Sequence, residues 1–147
     1  METKRAKIFI VDDYLPMRQS LRKLLDLEND FAVCGEAGDV EQAYAGILAS
    51  EPDVVVVDLV LGQQMGVELL NRLGSDRLAH LPILVLSMLP ESLNAQTMLD
   101  KGARGYIMKS ESPDQILTAL RRVLNGQLYL SPEVTLQLTE KGYFRHE

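Results

Sequence analysis

Val54-Val55-Val56-Val57-Asp58-Leu59-Val60-Leu61 is the stretch on which the fold turns. Seven of its eight residues are apolar, most are β-branched, and Pro52 lies just upstream. Such a run reads as a strand buried on both faces of a sheet. Asp58 interrupts it. A carboxylate beside apolar strand residues is costly unless it lies at the strand's end, within reach of water, a cation or a hydrogen-bond donor. Alone, Asp58 reads as a loop residue that begins the next turn. The alternative is a nucleophile or metal ligand at the mouth of a sheet. The flanking sequence chooses between the two.

Upstream, Lys7-Ile8-Phe9-Ile10-Val11 is a short apolar run ending in Asp12-Asp13, a strand followed by a polar turn. Pro16 suits a first helical turn, and Met17, Leu21, Leu24 and Leu25 repeat at helical spacing towards Asn29-Asp30. Phe31 to Ala37 is a second strand, stopped at Gly38-Asp39. Val40, Ala43, Tyr44, Ile47 and Leu48 form the next helical stripe. Downstream, Gly62 and Gly66 frame a loop, and Val67, Leu70 and Leu73 mark a short helix ending at Gly74. Ile83 to Ser87 is a fourth buried strand, Glu91 to Lys101 a helix ended by Gly102, and Gly105 to Lys109 a fifth strand. Ser112-Pro113-Asp114-Gln115 is a capping box opening a helix with Arg121-Arg122 at its negative end and Gly126 as its stop. Ser131-Pro132 opens a last helix to about Glu140, and the polar tail from Lys141 to Glu147 is expected to fray. Strand and helix thus alternate five times, with one extra helix, which implies a parallel sheet covered on both faces.

Bulk properties agree with one domain. The 147 residues are 46% hydrophobic, enough for a substantial core. A net charge of -6 argues against this chain alone gripping a nucleic-acid backbone. The single cysteine, Cys34, excludes an intrachain disulfide and is expected as a buried free thiol in a reducing cytosol. His80 and His146 read as surface residues, Met88 and Met98 as packing or partner-facing side chains. No stretch approaches membrane-spanning length or a signal peptide, so a cytoplasmic protein is expected.

Parallel sheets place ligands at the carboxyl ends of their strands. Here those ends carry Asp12-Asp13, Asp58, Ser87 and Lys109, whereas the second strand ends in Glu36-Ala37-Gly38 with nothing comparable. In the flavodoxin-like order 2-1-3-4-5, the four functional ends are neighbours and the second strand is at the edge. Three carboxylates, a hydroxyl and an ammonium then share one mouth. Clustered carboxylates favour a hard divalent cation such as Mg²⁺. Asp58 is then a nucleophile towards phosphorus, with Mg²⁺ and Lys109 compensating charge and Ser87 donating to a phosphoryl oxygen.

From Lys7 to about Gly126 the chain resembles the receiver domain of bacterial two-component response regulators. The resemblance rests on Ile10-Val11-Asp12-Asp13, Val57-Asp58-Leu59 with Gly66 downstream, Leu86-Ser87, and Gly105-Tyr106-Ile107-Met108-Lys109. It implies a flavodoxin-like (βα)5 three-layer sandwich with an extra C-terminal helix. It also implies Asp58 as phosphoacceptor and Mg²⁺ held by Asp12, Asp13, Asp58 and the backbone carbonyl of Val60. Ser87 and Tyr106 would be a switch pair, and Lys109 would contact the phosphoryl group. The stretches Leu120-Arg121-Arg122-Val123-Leu124-Asn125-Gly126 and Tyr129-Leu130-Ser131-Pro132-Glu133-Val134 resemble the NarL/FixJ (LuxR-class) subfamily. Residues 1–127 are accordingly expected as a receiver domain, and 128–147 as a linker helix leading towards an output domain absent from this chain.

The resemblance implies a phosphoryl donor, either a sensor histidine kinase or a phosphotransfer protein, and an output on transcription. Partner contacts would be a homodimer, no membrane, and DNA only through a separate helix-turn-helix domain. Three residues depart from the family pattern: Gly62, where proline is common, Ser110, where proline often follows the lysine, and, mildly, Ser87, which supplies the switch hydroxyl in place of threonine. Gly62 is expected to loosen its loop. Two rival functions are weighed. A Mg²⁺-dependent phosphatase commonly needs a second acid two residues after its nucleophile, where this chain has Val60, so a switch rather than a turnover enzyme is expected. A phosphorylation-independent interaction module is the alternative, and such modules usually lack one of the acids or the lysine.

Overall fold

The computed structural model describes residues 4–75, 78 and 80–145. In chain order they form β1 (Ala6–Val11), α1 (Leu15–Asp26), β2 (Phe31–Ala37), α2 (Val40–Ser50) and β3 (Val54–Val57). The chain then runs through β4 (Val60–Leu61), β5 (Gln64–Met65), α3 (Val67–Gly74), β6 (Ile83–Ser87) and α4 (Glu91–Asp100). It closes with β7 (Gly105–Met108), α5 (Pro113–Leu124) and α6 (Pro132–Glu140). Five strands make one parallel sheet in the order β2-β1-β3-β6-β7, which is the expected flavodoxin-like arrangement.

The period-two geometry of strands divides the core in two. Phe9, Val11, Val55, Val57, Val85 and Tyr106 point to one face, beneath α2, α3, α4 and α6. Ile8, Ile10, Val54, Val56, Leu84 and Ile107 point to the other, beneath α1 and α5. All four residues of β3 are buried, so the central strand is apolar on both sides. The Phe9 ring fills space that two small residues leave. An added Cβ at Gly35 of β2 or at Gly46 of α2 would stand 2.6 Å from that ring.

Several expectations are corrected. The central strand stops at Val57, and Val60–Leu61 instead pairs antiparallel with Gln64–Met65 as a small hairpin where a plain loop is expected. Asp58 turns the chain out of the sheet, so the apolar run is divided between two elements. The first helix ends at Asp26, short of Asn29-Asp30, and the last sheet strand ends at Met108, with Lys109 just beyond it. The capping box at α5 is half made. Ser112 Oγ accepts from the Gln115 amide at 3.3 Å, but the Gln115 side chain accepts from the Tyr129 hydroxyl at 2.9 Å instead of reaching back. Cys34 is half-buried rather than buried, with its thiol 3.5 Å from the Ile8 carbonyl. Met98 packs in the core while Met88 is 72% exposed, and His80 is exposed. His146 lies outside the described residues.

The C-terminal segment lies against the sheet. Tyr129 bridges to β7: the Tyr106 amide donates to the Tyr129 carbonyl and the Tyr129 amide to the Arg104 carbonyl, both at 3.0 Å. Val134 and Leu138 of α6 enter the core beside α4. The tail expected to fray is packed as far as it is described. Gly142, at φ 77°, closes α6, the Tyr143 amide donates to the Leu138 carbonyl, and the Tyr143 hydroxyl reaches Asp100 at 2.9 Å. Among the described residues, no helix is long and apolar enough to cross a membrane.

Candidate functional site

The chain turns at the carboxyl ends of β1 and β3 bring Asp12, Asp13 and Asp58 together. One carboxylate oxygen from each lies within 4.8 Å of the others. Asp12 and Asp58 are buried and Asp13 is exposed, so the cluster opens to solvent on one side. Lys109, from the end of β7, closes the other side. Its Nζ stands 2.7 Å from Asp58 Oδ2 and 2.8 Å from Asp12 Oδ2. Burial alone would lower the Lys109 pKa, but hydrogen bonds to Asp12 and Asp58 outweigh it and hold the ammonium above its ordinary value of 10.5.

Each carboxylate also accepts a backbone N–H. Asp12 Oδ1 accepts from Tyr14 at 2.9 Å, Asp58 Oδ1 from Val60 at 3.2 Å, and Asp13 Oδ2 from Gly62 at 2.9 Å. These orienting amides are not evident in the sequence, because a backbone donor has no residue-type signature. Gly66 is also part of the site. Its amide donates to the Leu59 carbonyl at 2.7 Å, and it packs so closely that an added Cβ would fall 2.2 Å from the Asp58 carbonyl oxygen.

Ser87 is fully buried at the end of β6, and its carbonyl accepts from the Lys109 amide at 2.9 Å. Ser87 and Tyr106 meet through Leu89: Ser87 Oγ accepts the Leu89 amide at 3.1 Å, and the Tyr106 hydroxyl donates to the Leu89 carbonyl at 2.6 Å. Tyr106 is 1% exposed, and burial pushes its pKa up to about 12. Its neutral hydroxyl is therefore a donor throughout the neutral range. The Lys109–Ser110 peptide is trans, like every described peptide.

Glu36, silent in the sequence, braces the site from the side. Its carboxylate takes Arg18 at 3.1 Å and Arg22 at 2.8 Å, and the Arg18 guanidinium also donates to the Asp12 carbonyl. Burial would raise the Glu36 pKa, but the two arginines outweigh it and hold the group below its ordinary 4.5. A depressed carboxylate contributes stability that is complete above the unfolded value and lost as pH falls through the folded one. The double variant Arg18→Gln/Arg22→Gln is therefore expected to lose stability less steeply below pH 4.5 than the native chain. Urea midpoints across that range measure it, and parallel curves for the two proteins would contradict it.

The donor set fits a small, hard dication. It is all oxygen, two ligands are held in place by burial, and the third faces water that can complete an octahedral shell. Three carboxylates against one ammonium also leave the site with excess negative charge.

Comparison with known proteins agrees with this geometry. Residues 8–121 match the family model described as the response regulator receiver domain. The nitrate/nitrite response regulator protein NarP of Escherichia coli is 32% identical over 146 residues, covering 99% of this chain and 67% of that protein. The transcriptional regulatory protein UhpA of Salmonella typhimurium is 31% identical, covering 89% of this chain and 65% of that protein. The chain thus spans about two thirds of the length of the curated relatives it matches. A LuxR-family two-component response regulator from Aurantimonas superposes with a TM-score of 0.85 at 31% identity, covering 95% of this chain and 99% of that one.

Proposed function

The chain belongs to the receiver-domain family of response regulators, in its NarL/FixJ branch, and we propose that it is a Mg²⁺-dependent phosphoryl switch with Asp58 as phosphoacceptor. The observation that carries this reading is the contact of Lys109 with both Asp58 and Asp12 beside Asp13, at one mouth of the sheet. Asp12, Asp13, Asp58 and the carbonyl of Val60 would hold the cation. When bound, Mg²⁺ supplies positive charge to the carboxylates and the incoming phosphoryl oxygens.

The residues divide the remaining work. The Val60 amide and Lys109 fix the two oxygens of Asp58, so the nucleophile is aimed before the donor arrives. An Asp58 oxygen attacks phosphorus in line, the phosphorus–nitrogen bond of a phosphohistidine breaks, and the imidazole leaves with the electron pair and takes up a proton. Lys109 exchanges its contact with Asp58 for a phosphoryl oxygen. Ser87 Oγ, freed from the Leu89 amide, donates to another. Since Leu89 also holds the Tyr106 hydroxyl, that exchange would release the ring to repack. The surface changed would be that of α4, β7 and α5, with α6 packed beside α4.

The donor would be a sensor histidine kinase or phosphotransfer protein in the cytoplasm. The output would be a change of surface or of homodimerisation that controls transcription through a DNA-binding domain outside this chain. Turnover of phosphoesters is not part of this reading, since Val60 cannot act as the second acid.

Incubation with Mg²⁺ and a small acyl phosphate is expected to add one phosphoryl group by intact mass, and none in Asp58→Asn. An unmodified native chain that also fails to respond to beryllium fluoride would favour the phosphorylation-independent module. Sustained phosphoester hydrolysis would favour a phosphatase.

A further inference from the structure

The three acids of the site are not held equally. Asp12 and Asp58 are buried, and each is fixed by a backbone amide together with Lys109. Asp13 is exposed and lies beyond Lys109. Among the described residues, its carboxylate accepts one hydrogen bond, from the Gly62 amide at 2.9 Å, across 49 positions of sequence. An exposed side chain with one anchor depends on that anchor for its orientation.

Gly62 is suited to the task by conformation rather than by space. Its φ is +63°, in the left-handed region that favours glycine. A Cβ there would meet nothing nearer than Asp13 Oδ2 at 3.9 Å. The left-handed backbone aims the N–H at Asp13. Proline is excluded twice over, because it lacks the N–H and its ring fixes φ near -65°. The glycine expected to loosen this loop therefore pins it.

We propose that the Gly62 amide is a positioning group for the divalent cation, holding Asp13 in the orientation in which it completes the carboxylate cluster. This rests on the Mg²⁺ reading above. It assigns the cation affinity of this chain partly to a backbone donor that a proline-bearing loop could not supply. Outer-shell donors of this kind typically change metal affinity by about 10–100-fold. The exposure of Asp13 places the expected effect near the lower end.

The test is Mg²⁺ binding, read by calorimetry and by the amide resonances of the ¹⁵N-labelled chain. Gly62→Asn keeps the N–H and tolerates positive φ, and is expected to bind within about twofold of native. Gly62→Pro is expected to bind about tenfold more weakly, near the affinity of Asp13→Asn. In the native chain the Gly62 amide resonance should keep its hydrogen-bonded position at Mg²⁺ saturation and lose it in Asp13→Ala. That readout stands even where the proline variant does not fold. A Gly62→Pro variant that binds as tightly as native, or a Gly62 amide that Mg²⁺ frees from Asp13, would overturn the proposal. Absence of any Mg²⁺ binding by the native chain would instead overturn the cation reading beneath it.

Discussion

Lys109→Ala is expected to slow phosphorylation of Asp58 by on the order of 100-fold and to cost about 3 kcal/mol of stability near neutral pH. Both effects come from one charge. The Lys109 side chain is 12% exposed and lies within 2.8 Å of two carboxylates that are themselves buried. Removing it leaves Asp12 and Asp58 facing each other with no cation between them. Breaking a buried pair from one side costs more than the pair contributes, because the surviving charge is stranded.

The pH dependence has a definite sign. Lys109 is held above its ordinary 10.5, so its contribution is complete below that value and is lost as pH rises through the raised one. In the alanine variant that contribution is absent at every pH, and the two carboxylates face each other without a counter-charge. The variant should gain more stability than the native chain on addition of Mg²⁺, which places a cation between them. Urea unfolding of native and variant, with and without Mg²⁺, reads this directly. Equal midpoints in the absence of Mg²⁺ would mean that the pair is energetically neutral.

Gly66→Ala is expected to be the most damaging single-methyl addition at the site, at about 3 kcal/mol. The added Cβ would lie 2.2 Å from the Asp58 carbonyl oxygen and 3.1 Å from the Leu59 Cα. Those are backbone atoms, so no rotamer change relieves the overlap. Gly66 has φ -59°, an ordinary helical value, so the demand is for space and not for conformation. Either the β4–β5 hairpin or the Asp58–Leu59 backbone must move. A displacement of about 1 Å in a nucleophile can cost on the order of 100-fold in rate. Gly74→Ala is the control, since an added Cβ there has nothing within 4 Å. A phosphorylation rate for Gly66→Ala equal to that of the control would show that the hairpin yields without moving Asp58.

The sheet order and the convergence of Asp12, Asp13, Asp58 and Lys109 were legible because they follow from strand ends. Once a run is assigned as a parallel strand, its last residue is placed at the mouth with little further information. Contacts between distant loops were not legible. Arg121, which reads as a helix C-terminal charge, joins Glu28 at 2.7 Å and Asp30 at 3.0 Å across the turn before β2, and lowers the Asp30 pKa through its hydrogen bond. Its sequence signal is only a pair of opposite charges some 90 residues apart. The β4–β5 hairpin escaped because two-residue strands carry no periodicity. The packed tail escaped because Tyr143 and Phe144 sit among polar residues that read as solvated.

Phe9 beneath Gly35 and Gly46 has a consequence for how this sequence can drift over evolutionary time. One ring occupies volume that three side chains would otherwise share. A methyl group gained at either glycine meets the ring, and a smaller residue at position 9 leaves a void that neither glycine fills. Each single step therefore costs stability even where the combined change would restore it. Descendants should hold the trio fixed or exchange its members together, so positions 9, 35 and 46 should travel as one inherited unit although 26 residues separate the first two.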